Sequence, residues 1–168
     1  IILSRGSGAS SATYEQYVLK EATNGALQFE VSNGSALLST SPFSSGAITQ
    51  AGNWYHVAGV YDGSGTISIY INGVLNNSRT VAGFGSLNNV TIMGAEIGAN
   101  PPGDNLYWNG LIDDVRVYSR ALSSAEISEL YNYAGGVAPP PGTDRAPTIP
   151  SGLVSSGITS SGVTISWS

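Results

Sequence analysis

Cysteine is absent from the 168 residues, and histidine and methionine occur once each. Without cysteine there can be no disulfide, no thiolate metal site and no cysteine nucleophile. With a single histidine, a zinc site would have to be built from carboxylates. Charge is scarce too: Asp, Glu, Lys and Arg make up 10% of the chain, against about 25% in an average globular domain. The six Lys and Arg residues are scattered singly and the net charge is −5. No basic stripe is available to neutralise phosphates, so nucleic acid is not an expected partner. No apolar run approaches the roughly 18 residues a membrane helix needs, so no membrane insertion is expected. Ile1-Ile2-Leu3 is too short for a signal-peptide core. Ser, Thr, Asn, Gln and Gly must cover the surface, a composition common in extracellular bacterial proteins.

Hydrophobic residues reach 41%, enough for a core. Their spacing is that of strands. Ile67, Ile69 and Ile71 alternate with Ser68 and Tyr70, the period of a strand with one buried face. Trp54 to Tyr61 is rich in aromatic and β-branched residues and suits a second strand. Asp62-Gly63-Ser64-Gly65 reads as the hairpin loop between them. Asn72-Gly73 is the preferred pair for a type I′ turn and leads into a third strand, Val74 to Val81. The result is an antiparallel meander.

Upstream, Ile1 to Ser4 already has the character of a strand interior, so the segment is expected to open partway through a domain. Arg5 to Thr13 is a Gly/Ser-rich loop. Tyr14 to Lys20 and Ala26 to Val31 read as strands joined through Thr23-Asn24-Gly25, with Leu27, Phe29 and Val31 on one face and Gln28 and Glu30 on the other. Downstream, Val90 to Met93 is expected to be a short strand and Ala95 to Asn109 a long irregular loop, since Pro101-Pro102-Gly103 cannot continue a ladder. Leu111 to Tyr118 is expected to be a final strand. Ser123-Ser124-Ala125-Glu126 fits a capping box, opening a short helix that buries Ile127, Leu130 and Tyr131. Residues 133–150 are rich in Pro and Gly and read as a linker. Gly152 to Ser168 alternates again, with Val163, Ile165 and Trp167 on one face.

The stretches WYHVAGVYDG (Trp54 to Gly63), INGV (Ile71 to Val74) and above all NGLIDDVRVYSRALSSAEISELY (Asn109 to Tyr131) resemble the laminin G-like, concanavalin A-like jelly-roll family. The likeness extends back to ILSRG near the start, although full members carry strands before that point. TIPSGL and VTISWS resemble the first strands of a fibronectin type III domain. The resemblance implies an all-β fold, an antiparallel two-sheet jelly-roll sandwich with one short C-terminal helix. Residues 1–132 would form that domain, 133–150 a linker, and 151–168 the start of a fibronectin type III-like unit. It also implies secretion to the extracellular space or cell surface, and attachment to a polysaccharide or glycoprotein surface. The expected function is a non-catalytic carbohydrate-binding or adhesive module of a secreted multidomain bacterial protein. The alternatives are a structural subunit of an extracellular fibre or surface layer, self-associating through strand donation, and an accessory domain of a polysaccharide-degrading enzyme.

Candidate sites follow from the loops. In the loop from Glu96 to Trp108, Glu96, Asn100, Asp104 and Asn105 offer hydrogen-bond acceptors, while Tyr107 and Trp108 offer flat apolar faces. That combination suits the hydroxyl edges and C–H faces of sugars. By alternation, Asp113 shares a face with Val115 and Val117 and is expected to point inward. A buried carboxylate there needs hydrogen bonds, a charge partner or a metal. Related jelly rolls often hold a structural calcium near this position, so the resemblance implies Asp113 as a ligand, while the residues themselves fit a carboxylate bonded to loop amides. Asp114 is expected to pair with Arg116 or solvent, Asp62 to shape its turn, and His56 to be a hydrogen-bonded core residue. No G-x-S-x-G elbow occurs, and no two carboxylates are placed as a glycosidase pair, so catalysis is not expected.

Overall fold

The structure, a computed structural model, describes residues 1–6, 12–22, 25–40, 52–89, 94–99 and 106–133, with the backbone of 154–159 and 162–166. Two compact units divide the chain, Ile1–Val137 and Ala138–Ser168.

The first unit is a two-sheet antiparallel sandwich. Its larger sheet contains β1 (Leu3–Gly6), β2 (Glu15–Glu21), β3 (Leu27–Ser32), β4 (Leu37–Ser39) and β8 (Ala95–Ile97), in the order β4-β3-β2-β1-β8. The smaller sheet is the meander β5 (Val57–Tyr61), β6 (Thr66–Ile71), β7 (Val74–Thr80). Turn chemistry sets the meander's register. Asn72 and Gly73 both have positive φ, as a type I′ turn requires. Asp62 accepts from the backbone amides of Ser64, Gly65 and Thr66 at 2.8, 3.0 and 2.9 Å, which folds the preceding loop back on itself.

Alternation then decides what is buried. Leu27, Phe29 and Val31 of β3 and Leu19 of β2 meet Ile67 and Ile69 of β6, with Leu38 and Phe84 closing the cluster. Each such side chain contributes roughly 1.5–3 kcal/mol on burial. Gly59 allows the two sheets to approach: a Cβ there would lie 2.4 Å from the Phe29 ring. On the outer face of β6 and β7 the pattern is polar, with Thr66 against Thr80 at 3.1 Å and Ser68 against Ser78 at 3.0 Å.

The helix α1 (Ser124–Asn132) begins with the expected capping box. Ser123 Oγ accepts from the Glu126 amide at 3.3 Å, and the Glu126 carboxylate accepts from the Ser123 amide at 2.8 Å. Ile127 is fully buried.

Several expectations are corrected. Leu111 to Tyr118 is not a strand: it has no sheet partner among the described residues, and Leu111, Val115 and Val117 are exposed. Alternating side chains cannot hold a strand without a neighbour to take its backbone hydrogen bonds. Part of the expected 95–109 loop is a strand, because Ala95, Glu96 and Ile97 pair with Arg5, Ser4 and Leu3. The meander's first strand starts at Val57 and not at Trp54. Residues 90–93 lie outside the described residues. The second unit contains the antiparallel pair β9 (Val154–Thr159) and β10 (Gly162–Ser166).

Candidate functional site

The β8 edge gathers part of the expected sugar site. The Trp108 amide donates to the Gly98 carbonyl at 2.8 Å, so the chain returns to the end of β8 after its excursion. Glu96, Tyr107 and Trp108 therefore come to the same edge of the larger sheet. Tyr107 is 71% exposed. Trp108 is half-buried, packs against the core, and donates from Nε1 to the Leu111 carbonyl at 3.4 Å. It is thus a packing residue on one side. Asn100, Asp104 and Asn105 lie outside the described residues.

Asp113 does not point inward. It is exposed, its Oδ1 accepts from the Asp114 amide at 2.7 Å, and Ile112 is the neighbour packed on the core. The expected inward face is not formed, because the segment is not held in a ladder that would fix its alternation. Asp114, with φ of 52°, pairs with Arg116 through two bonds of 3.0 and 2.9 Å. A calcium ion needs about six to eight oxygen donors. Among the described residues no group of three or more His, Asp or Glu side chains is assembled to hold a metal. One exposed carboxylate does not fit the ion.

His56 is half-buried and its ring lies 6.0 Å from that of Tyr131. The expected hydrogen bond is not made at Nδ1, which is buried with no partner. Burial, and secondarily the Arg116 charge, lower its pKa, so the ring is held neutral.

Sequence reasoning missed a group on the larger sheet. A register shift after Arg5 pairs Gly6 with Glu15. Cross-strand partners share a face, so the bulge turns Glu15 to the side carrying Ser4, Val18, Lys20 and Glu30. Gly6 makes the bulge feasible, with φ of 94° and room only for hydrogen: a Cβ would meet the Tyr14 carbonyl oxygen at 2.1 Å. Glu15 is fully buried and neither carboxylate oxygen has a hydrogen-bond partner among the described residues. Desolvation, then repulsion from Glu30, push its pKa up to about 7. Glu30, also buried, is held by Lys20 at 2.5 Å. Alternation puts Glu30 on the face opposite Leu27, Phe29 and Val31, and that face is buried at Glu30 as well. Both acids are enclosed.

A second concavity, of about 240 Å³, lies between the chain at Tyr118–Leu122 and one face of α1. Glu126 holds Arg120 there through bonds of 3.1 and 2.6 Å. The Arg120 hydrogen bond, then the Ser123 amide, hold the Glu126 carboxylate down at about 2.

An antiparallel two-sheet sandwich is the architecture of the lectin-like jelly rolls. The chain belongs to the concanavalin A-like lectin/glucanase superfamily, whose laminin G-type family matches residues 1–128. Among solved structures it is similar to the native heptameric SAP-like pentraxin from Limulus polyphemus. Identity there is 24% and the TM-score 0.55, covering 82% of this chain and 64% of that one. It is also similar to residues 221–444 of an S-layer domain-containing protein from Clostridium thermocellum ATCC 27405. In that case identity is 28% and the TM-score 0.42, over 74% of this chain and 59% of that one. The chain therefore spans less than two thirds of either. No curated protein matches it.

Proposed function

We propose that this domain is a non-catalytic module of a secreted protein, attaching its parent chain to a glycan or glycoprotein surface. The observation that carries the reading is Tyr107, an aromatic ring left largely in water next to Trp108, which is bonded to the end of the strand carrying Glu96. An exposed ring next to an acceptor provides a stacking face and a hydroxyl partner for a sugar. Asn100, Asp104 and Asn105 belong to the same loop and would add acceptors. Membership of a lectin-like superfamily supports the reading. A role as accessory domain to a polysaccharide-degrading enzyme is the same activity in a longer chain. The sugar-binding test is a carbohydrate array followed by calorimetry on the best ligand. Tyr107→Ala should weaken binding about tenfold, the effect of removing one well-placed aromatic anchor. Unchanged affinity would sink the assignment of the site. Calcium has no part in the proposal, since Asp113 alone does not make a site.

A second reading, a fibre or surface-layer subunit built by strand donation, is favoured by one observation. The Leu111 to Tyr118 segment has a strand-like sequence pattern, is unpaired among the described residues, and carries exposed Leu111, Val115 and Val117. Donation of the strand containing Val163 and Ile165 by a second copy would cover it. Sedimentation of the full chain, against a chain lacking residues 152–168, tests this. A monomer in both cases would exclude it. The assignment of 133–150 as a linker and 151–168 as the start of a fibronectin type III-like unit belongs to the same proposal.

A further inference from the structure

We propose that the concavity between Tyr118–Leu122 and α1 is a second sugar subsite, and that it takes the protonated amine of an amino sugar. This rests on the glycan-binding reading above but uses residues separate from the β8 edge. From α1 and its C-cap come Glu126, Glu129, Leu130 and Tyr133, spaced i, i+3, i+4 and i+7 and therefore on one face. Tyr118, Arg120 and Leu122 face them.

The charges at this site do not cancel. Arg120 is bound by both Glu126 oxygens, and Glu126 also accepts from the amide and hydroxyl of Ser123 at 2.8 and 2.9 Å. Those two side chains are therefore occupied with each other and with the helix cap. Glu129 makes no hydrogen bond or ion pair with any described residue, and it is exposed. One negative charge is left over.

The helix adds to that charge. Its last turn carries no basic residue, so the partial negative charge of its terminal carbonyls is not offset by a cation. Beside the paired Arg120 and the tyrosine hydroxyls, the concavity offers a ligand the free Glu129 carboxylate, which only accepts. A phosphate or carboxylate would meet the uncompensated negative charge of Glu129. A cation fits it, and the rings of Tyr118 and Tyr133, 43% and 66% exposed, can face a cation as well as the flat side of a sugar. A volume of about 240 Å³ suits a single sugar ring.

The test is calorimetric or NMR titration of the full chain with three oligomers of equal length: glucosamine, its N-acetylated counterpart, and a neutral glucan. The glucosamine oligomer should bind, more tightly at low salt, and the acetylated form at least several-fold more weakly. Glu129→Gln and Tyr133→Ala should each weaken binding about threefold, the scale of one exposed ion pair or one cation–π contact. Both side chains are solvent-facing, so both variants should keep the parent melting temperature. Tyr107→Ala should leave this binding unchanged. Equal binding of the free and acetylated amines, or indifference to Glu129→Gln, would overturn the subsite. If the neutral glucan binds through Tyr107 while glucosamine fails, the inference falls and the glycan-binding reading stands. If none of the three binds, the inference falls, and the glycan-binding reading is decided by the carbohydrate array and Tyr107→Ala.

Discussion

Val18 in β2 and Val117 in the Leu111 to Tyr118 segment are the same residue type in two stretches that both read as strands in the sequence. Val18 is fully enclosed, whereas Val117 is 62% exposed. The five-stranded sheet gives β2 a hydrogen-bonded neighbour on each side, β1 and β3. The Leu111 segment has none among the described residues. Alternation therefore states which face a strand would bury, and neighbours decide whether the strand exists. The same contrast separates the acids. Glu30 and Glu15, which lie in the paired sheet, are enclosed, while Asp113 and Asp114 on the unpaired segment stand in water.

The largest expected effect tests this contrast directly. Ile69 is fully buried between the sheets, so Ile69→Ala should cost about 2–5 kcal/mol by denaturant unfolding. Val117→Ala makes a similar chemical change on an exposed segment and should stay within about 0.5 kcal/mol. Comparable losses for the two would mean that the Leu111 to Tyr118 segment is packed in solution.

Next in size is a pH effect from Glu15. Its pKa is about 7 in the folded protein, against an ordinary 4.5. A raised carboxyl pKa means the folded state favours the proton, so the associated stability is complete below pH 4.5 and is lost as pH rises through 7. A shift of this size corresponds to roughly 3 kcal/mol. Glu15→Gln, which keeps the shape and stays neutral, should flatten that decline and stabilise the protein above pH 7. A Glu15→Gln variant whose stability still falls between pH 5 and 8 as the parent's does would show that Glu15 is ionised and partnered.

The parts of this fold that could be read in advance are those set by local chemistry. The Asn72-Gly73 turn, the Asp62 loop, the Ser123–Glu126 capping box and the isoleucine face of β6 all follow from residues within a few positions of one another. What was not legible depended on register between distant segments. The β8 pairing joins residues more than 90 positions apart, Ser4 with Glu96, and nothing around Ala95–Ile97 signals it. Enclosure of Glu15 depends on a bulge opposite Gly6. A signal for the Lys20–Glu30 pair was present, since a hairpin centred on Asn24-Gly25 brings those residues to adjacent cross-strand positions. For the candidate sites, exposure of Tyr107 was consistent with its loop position. The concavity beside α1 needed the chain at Tyr118–Leu122 to fold back on the helix, which no short motif encodes.

A smaller effect is expected at the helix start. Ser123 caps α1 reciprocally with Glu126, and Ser123→Ala should cost about 1 kcal/mol. The helix belongs to the domain's edge, so its loss of protection should appear first in amide exchange at residues 124–132, before any change in the sheets. Uniform loss across the domain would instead make α1 part of the main cooperative unit.

The smallest effect is expected where the sequence pointed to a metal. Asp113 is exposed and accepts only from the neighbouring Asp114 amide among the described residues. Asp113→Asn retains that oxygen acceptor, so it should change stability by less than about 0.5 kcal/mol. Added calcium should leave the melting temperature where a chelator leaves it. A ligand that binds only the folded state stabilises by about 2.7 kcal/mol at a hundredfold excess over its dissociation constant, several degrees in a domain of this size. A calcium-dependent rise of that order, abolished by Asp113→Asn, would show that further oxygen donors converge on Asp113 and that its segment is held in place when the ion is bound.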